Sequence, residues 1–249
     1  MWILSTMLAM TAAQGAQILV WSYDDYPFEE STVGVDGWMA GYEEDIWYGY
    51  EFDGFGPVVL STTDENGGEF GSGAAIDNWL VNREIYLDDA WSQVDAYTQD
   101  DDTLGLVFNF QDSENYYAFW MIGTQGPGGD GTNASNPLDA EDSRVRSVLV
   151  KLENGEATVL AEELVSYDRD TRMKIAAGEN NGRVWGKLWV EYDQAWSDFD
   201  VGIGYTDSDP LGPGSAGFYS YDGGGITGDE TLTFFTKVEV YAYDDDDDG

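Results

Sequence analysis

No cysteine and no histidine occur among the 249 residues. The first absence removes disulfides and thiolate metal sites, and the second removes imidazole bases, most nucleophile triads and the commonest zinc ligands. Cationic side chains are scarce as well: 10 Lys and Arg stand against 49 Asp and Glu, a formal net charge of −39. A field of that sign repels polyanions, which excludes nucleic acid and anionic membrane surfaces as partners. No apolar run approaches the ~20 residues that a spanning helix needs, so no membrane insertion is expected. There is no G-x-S-x-G elbow and no phosphate loop; the GPGGDG segment at Gly126 to Gly131 precedes no helical pattern and reads as a loop.

What is present argues for a folded chain despite the charge. Apolar residues make up 42% and aromatic residues 15%, enough to build a core that a disordered acidic chain lacks. At the N-terminus, Trp2 to Ala13 is a short apolar run followed by the small-residue segment AAQGA, Ala12 to Ala16. It reads as a signal peptide over 1–16, although no Lys or Arg precedes it, and it places the mature chain from Gln17 outside the cell or on its surface. A sequon, Asn133-Ala134-Ser135, is open to glycosylation in a host that modifies exported proteins.

Beyond the leader, short apolar or alternating segments are bounded by Gly, Asn, Asp and Pro. They include Gln17 to Trp21, Val58 to Ser61, Ala74 to Val81, Arg172 to Ala176, Arg183 to Tyr192, Asp200 to Tyr205, Gly217 to Ser220 and Leu232 to Tyr243. Two hairpins stand out. LGLVFNF (Leu104 to Phe110) and YYAFWMI (Tyr116 to Ile122) flank the polar turn QDSEN, and Ser147 to Leu152 meets Ala157 to Leu160 through a turn containing Asn154-Gly155. Thr158 to Val165 has a trace of helical character but reads better as strand and turn. No segment sustains a helical period, and the spacing predicts an all-β, two-sheet antiparallel jelly-roll sandwich over 17–243. LGLVFNF carries apolar residues on both faces, which means either packing on each side or aromatic groups exposed on a concave face. Gln17 to Ser72 is read either as further sandwich strands or as a separate strap.

The acidic residues are not scattered evenly. The chain ends DDDDDG, where Asp244, Asp246, Asp248 and Gly249 match the first half of a calcium loop: alternate carboxylates converge on one cation and glycine permits the sharp turn. The 244–249 segment equally fits a solubilising acidic tail. Internally, Asp100, Asp101 and Asp102 precede LGLVFNF, with Asp112 and Glu114 in its turn, and together they form the best internal calcium candidate. Weaker clusters are Asp24 with Asp25, Glu43 to Asp45, and Asp207 with Asp209.

DDDTLGLVFNFQDSENYYAFWM (Asp100 to Met121), the Asn-Gly hairpin at Val148 to Leu160, GRVWGKLWVEYD (Gly182 to Asp193), and SAGFYSYDGG followed by TFFTKVEVYA carry a resemblance. Together they resemble the concanavalin A-like, laminin G-like jelly rolls, and most closely the C-terminal lectin-like domain of thrombospondins. The acidic tail is similar to the start of a thrombospondin type 3 repeat, although there the repeats precede the lectin-like domain. The resemblance covers roughly Gly73 to Tyr243. It implies a calcium-binding lectin-like or adhesion domain with a glycan or extracellular surface partner; with the leader and the missing catalytic motifs, the reading is a secreted, non-catalytic one.

Sugar recognition uses aromatic platforms with a few polar groups. The candidates are Trp47, Tyr48 and Tyr50 in EEDIWYGYEFDGFG, and Trp196 in YDQAWSDFD, both read as loops; capping of the sandwich ends is the alternative. Glycoside hydrolases share the superfamily, but the E-x-D-x-x-E pair is missing, and Glu191 and Glu239 lack the second glutamate. A structural surface-layer or halophilic protein without specific sites would carry the same charge. Calcium is expected to raise the unfolding temperature of the chain from Gln17 where magnesium or high salt does not. Thermal unfolding in chelator, in millimolar calcium and in calcium-free salt checks this.

Overall fold

A computed structural model describes residues 17–26, 31–41, 47–52, 56–61, 78–99, 103–123, 138, 144–167, 171–190, 201–221 and 233–243. They form fifteen strands: β1 (Gln17–Tyr23), β2 (Trp38–Ala40), β3 (Trp47–Phe52), β4 (Gly56–Ser61), β5 (Trp79–Leu87), β6 (Ala90–Thr98), β7 (Thr103–Asp112), β8 (Asn115–Ile122), β9 (Arg146–Glu153), β10 (Glu156–Glu163), β11 (Thr171–Asn180), β12 (Arg183–Val190), β13 (Val201–Thr206), β14 (Gly214–Tyr221) and β15 (Thr233–Tyr243). One sheet of eight strands runs β13-β12-β11-β6-β15-β4-β3, with β1 added on β15. The other, of seven, runs β10-β9-β8-β7-β14-β5-β2. The expected all-β jelly-roll sandwich is therefore observed, and the segment from Gln17 contributes β1 to β4 to its two sheets.

The turns follow from local chemistry. Asn154-Gly155 and Asn181-Gly182 each have positive φ at both central residues (53° and 77°, 49° and 77°), the geometry that matches the twist of a two-residue hairpin. The β7–β8 connection is tighter than the five-residue turn expected from QDSEN. Asp112 pairs directly with Asn115, and the Asp112 carboxylate accepts the Glu114 N–H at 2.9 Å and the Asn115 amide at 2.8 Å. Asn109, at φ 46°, absorbs the register shift between Phe108 and Asp112.

LGLVFNF is packed on both sides, which removes the alternative of an aromatic concave face on this hairpin. Leu104, Leu106 and Phe108, with Tyr117, Phe119 and Met121 of β8, face the inter-sheet core against Ile175, Ala177, Val184 and Leu188. Val107 and Phe110, with Tyr116, Ala118, Trp120 and Ile122, belong to a second buried cluster with Val148, Val150 and Tyr219. Gly186 of β12 lies against the ring of Phe119 across the two sheets. A Cβ there would stand 2.5 Å from the ring, so glycine sets the approach of the layers.

One reading is corrected and one strand was missed. EEDIWYGYEFDGFG is not simply a loop, because Trp47–Phe52 is strand β3, paired along β4. The central strand β6 carries no obvious sequence signal: its inward residues Ser92, Val94, Ala96 and Thr98 are smaller than its outward Trp91, Gln93, Asp95 and Tyr97.

A polar lock ties the two sheets together after β13. Lys151 of β9 reaches Asp207 Oδ2 at 3.0 Å, Glu153 at 3.2 Å and the Asp209 carbonyl at 2.7 Å. Tyr117 donates to Asp207 Oδ2 at 2.7 Å and accepts the Leu211 N–H at 3.0 Å. Burial pushes the Asp207 carboxyl up, but the Asp209 N–H, Tyr117 and Lys151 outweigh it and hold it below its ordinary value. The acidic pair Asp207 and Asp209 thus has a structural role. Asp207→Asn removes the nearer of the two carboxylates that pair with Lys151 and is expected to cost about 2 kcal/mol at neutral pH. Because the folded carboxyl is depressed, that advantage of the native residue is full above its unfolded-state value and fades as pH falls through the folded one. Urea unfolding of both proteins across acidic pH measures it.

Candidate functional site

The outward face of the eight-stranded sheet is built by alternation, since every second residue of a strand points away from the core. Cross-strand register sets these side chains in rows. One row runs Tyr241, Trp91, Gly178, Trp185, Gly204, and the next runs Glu239, Gln93, Ala176, Lys187, Gly202. Small residues on β11 thus lie between large ones. A Cβ on Gly178 would meet Trp91 Cβ at 2.3 Å, so the glycine makes room for the indole.

Aromatic contacts organise the first row. Trp91 and Tyr241 stack at 4.3 Å with 9° between planes, Trp91 and Trp185 lie 5.9 Å apart, and the Trp185 indole N–H donates to Tyr243 Oη at 3.0 Å. Trp91 is buried, while Trp185, Tyr241 and Tyr243 remain half-buried. Burial first, with Glu179 and Asp89 adding to it against the Trp185 hydrogen bond, pushes the Tyr243 hydroxyl up to about 12.

The second row is polar and internally compensated. The Gln93 amide donates to Glu239 Oε2 at 2.6 Å, and Tyr241 Oη donates to the same oxygen at 3.0 Å. Lys237 pairs with Glu239 Oε1 at 2.9 Å. Burial raises the Glu239 carboxyl, but Lys237, Gln93 and Tyr241 together hold it below its ordinary value, so it stays an ionised acceptor. Lys187 lies 5.6 Å from the centre of the Trp185 ring, and burial lowers its amine. Flat rings edged by an amide, a carboxylate and an amine can stack on the apolar face of a small ring and bond its hydroxyls.

At the end of the same strands, with Glu179 turned toward the other sheet, is a carboxylate cluster. Asp88 and Asp89 form the turn between β5 and β6, Asp89 at φ 45°, and Glu179 stands near the end of β11. One oxygen of each lies within 4.8 Å of the others. The β11–β12 turn holds them: Gly182 N–H bonds Glu179, Asn181 N–H bonds Asp89 Oδ1 at 2.6 Å, and Tyr243 N–H bonds the Asp89 carbonyl at 3.2 Å. Glu179 is 2% exposed, and Asp88 opens to solvent. An all-oxygen donor set with one solvent-facing member fits part of a calcium shell, water completing it. Burial, reinforced by Asp89 and Asp88, raises the Glu179 carboxyl against the Gly182 N–H and the Asn109 amide.

The residues expected from sequence to form sites are placed differently. Trp47 is fully buried against Phe235 at 6.2 Å, so it belongs to the core and is no ligand platform. Tyr48 and Tyr50 are half-buried on the outward face, opposite Leu60 and Val58 of β4. Asp112 uses its Oδ1 to cap its own turn, and Glu114 offers its carbonyl to Gly155 N–H at 3.0 Å. Asp100, Asp101, Asp102, Trp196, Asp244, Asp246 and Asp248 lie outside the described residues, as do the 1–16 leader, Glu43 to Asp45 and the sequon. Sequence reading missed Asp88, Asp89 and Glu179, as well as Trp185, Trp91 and Tyr241. Asp88-Asp89 between two strands was the available signal for the cluster, and its partner is about 90 residues away along the chain.

Fold and face together define an antiparallel two-sheet β-sandwich with an aromatic outward face, and the comparisons agree on the fold. No protein-family model and no curated protein sequence matches the chain. Among solved structures, the exoplasmic/lumenal domain of VIP36 in its metal-free form is similar at 14% identity over 91% of this chain and 93% of that one, TM-score 0.51. Its calcium-bound form matches at 12% identity over 94% and 93%, TM-score 0.51. The GH43 protein BlXynB from Bacillus licheniformis matches at 17% identity and TM-score 0.51 over 88% of this chain; the match spans 39% of the BlXynB chain.

A carboxyl raised by folding costs stability once pH exceeds its unfolded-state value, and the cost is relieved as pH falls through the folded one. Glu179→Gln is therefore expected to stabilise the protein at neutral pH. Denaturant titrations of both proteins at neutral and acidic pH read the effect.

Proposed function

We propose that the chain is a secreted or cell-surface, non-catalytic glycan-binding domain that uses calcium. The observation that carries this reading is the outward row of Trp185, Trp91 and Tyr241 beside Gln93, Glu239 and Lys187. A β-sandwich normally keeps such rings inward, and an outward aromatic row edged by an amide and a carboxylate suits a sugar better than bare water. The acidic turn at Asp88 and Asp89 adjoins the same strand ends, so a calcium ion there would brace β6, β11 and β15 beneath the face. Calcium in a VIP36 domain of this fold, and the fold's presence in a GH43 protein, support the reading. The strand sequences that resemble the thrombospondin lectin-like domain, and the acidic Asp244 to Asp248 run, belong to the same proposal, which includes adhesion as the biological use. The expected sites at Asp100, Asp101, Asp102, Asp112, Glu114 and Trp196 remain further candidates within it.

A non-catalytic role rests on accessibility. Glu179 has the raised carboxyl that a general acid needs, but it is buried and already bonded by Gly182 and Asn109. Glu239, on the exposed face, is held ionised by Lys237, Gln93 and Tyr241 and has no proton to give at neutral pH.

A glycan array probed in calcium and in chelator tests the reading. Trp185→Ala is expected to weaken the best hit about thirtyfold, the ~2 kcal/mol of an aromatic anchor, without a change in far-ultraviolet circular dichroism. Equal signals from the two proteins would refute it.

A further inference from the structure

The outward face carries a second aromatic patch. Tyr97 of β6 pairs across strands with Phe234 of β15, their rings 5.2 Å apart, and Tyr50 of β3 packs on the same cluster over Val58 and Leu60. Tyr97 and Tyr50 are half-buried, and both point to the side occupied by Trp91 and Trp185. From Trp91 to Tyr97 is six residues along one strand, about 20 Å. Between the patches the strip is polar: Gln93, Asp95, Lys174 and Glu239, with Lys174 3.5 Å from Asp95 and Lys237 2.9 Å from Glu239.

Resting on the glycan reading above, we infer that this face binds the interior of an extended, uncharged polysaccharide, with several linked sugars lying along β6 and β15 from one aromatic patch to the other. Three observations converge on that occupant. Two stacking surfaces about 20 Å apart exceed the reach of one or two sugars and match a chain. The strip between them presents hydroxyl-bonding groups, and its two lysines, Lys174 and Lys237, are each taken up by a carboxylate, Asp95 and Glu239, rather than left for a sulfate or uronate. The net charge of −39 repels a polyanion and also a second copy of this chain.

Affinity electrophoresis in native gels containing soluble xylan, mixed-linkage β-glucan or mannan, with carboxymethylcellulose as the anionic counterpart, tests this, followed by calorimetry with the oligosaccharides of the retarding polymer from two to six sugars. The expected result is retardation by an uncharged polymer and affinity that rises about tenfold or more between the dimer and the hexamer. Tyr97→Ala and, independently on the edge strand, Tyr50→Ala should each bring the hexamer down toward the short oligosaccharide, whereas Trp185→Ala weakens every length. Tyr86→Ser, at an exposed tyrosine on the other sheet, serves as the unchanged control. Equal affinity for dimer and hexamer overturns the extended chain while leaving glycan binding intact. Preference for carboxymethylcellulose overturns the uncharged ligand. No retardation in any gel, no hit on the array, or self-association that consumes the face overturns both readings.

Discussion

Removing β7 and β8 from water on both faces is the constraint on which this molecule depends. A strand pair whose every side chain from Leu104 to Phe110 and Tyr116 to Ile122 is buried can exist only as the middle of a layered structure. It must be paired laterally by β9 and β14, faced by the eight-stranded sheet, and shielded on its other side. The large rings gathered there offset the repulsion that a charge of −39 imposes. Charge is handled at the margins, in turns and strand ends, with scarce cations such as Lys151 and Lys174 each placed against a carboxylate.

Much of the fold was legible because its strongest strands announce themselves. LGLVFNF, YYAFWMI and the Asn154-Gly155 hairpin carry apolar density and turn chemistry that admit one reading. β6 and β3 were not legible for the opposite reason. In β6 the large apolar rings Trp91 and Tyr97 point outward while Ser92 and Ala96 point inward, so the usual amphipathic rule assigns it no clear face. In β3, glycine and acidic neighbours imitate a loop, and lateral pairing with β4 overrides that local preference. These failures coincide with the candidate site, since strands that carry their large rings on the outward face break the pattern that a core strand keeps.

The carboxylate cluster was hidden by distance along the chain. Asp88 and Asp89 are two of many acidic residues, and Glu179 joins them only because β11 pairs with β6 and its turn folds back over the strand end. Nothing local distinguishes them from Asp112, whose carboxylate merely closes its own turn. Of the expected platforms, Tyr48 and Tyr50 reached the outward face because strand parity sends them there, and the same parity sends Trp47 inward onto Phe235.

The hydrogen bond from Trp185 to Tyr243 makes the molecule its own optical reporter. Trp38, Trp47, Trp79, Trp91, Trp120 and Trp189 are buried, whereas Trp185 sits half in solvent with its indole proton committed to a phenol beside the acidic turn. The buried indoles emit in the blue; among the described residues Trp21 and Trp185 supply the red component, and the Trp185 share follows whatever covers or tightens that corner. Any change in the packing of that corner is thus written into the intrinsic fluorescence, with no label attached.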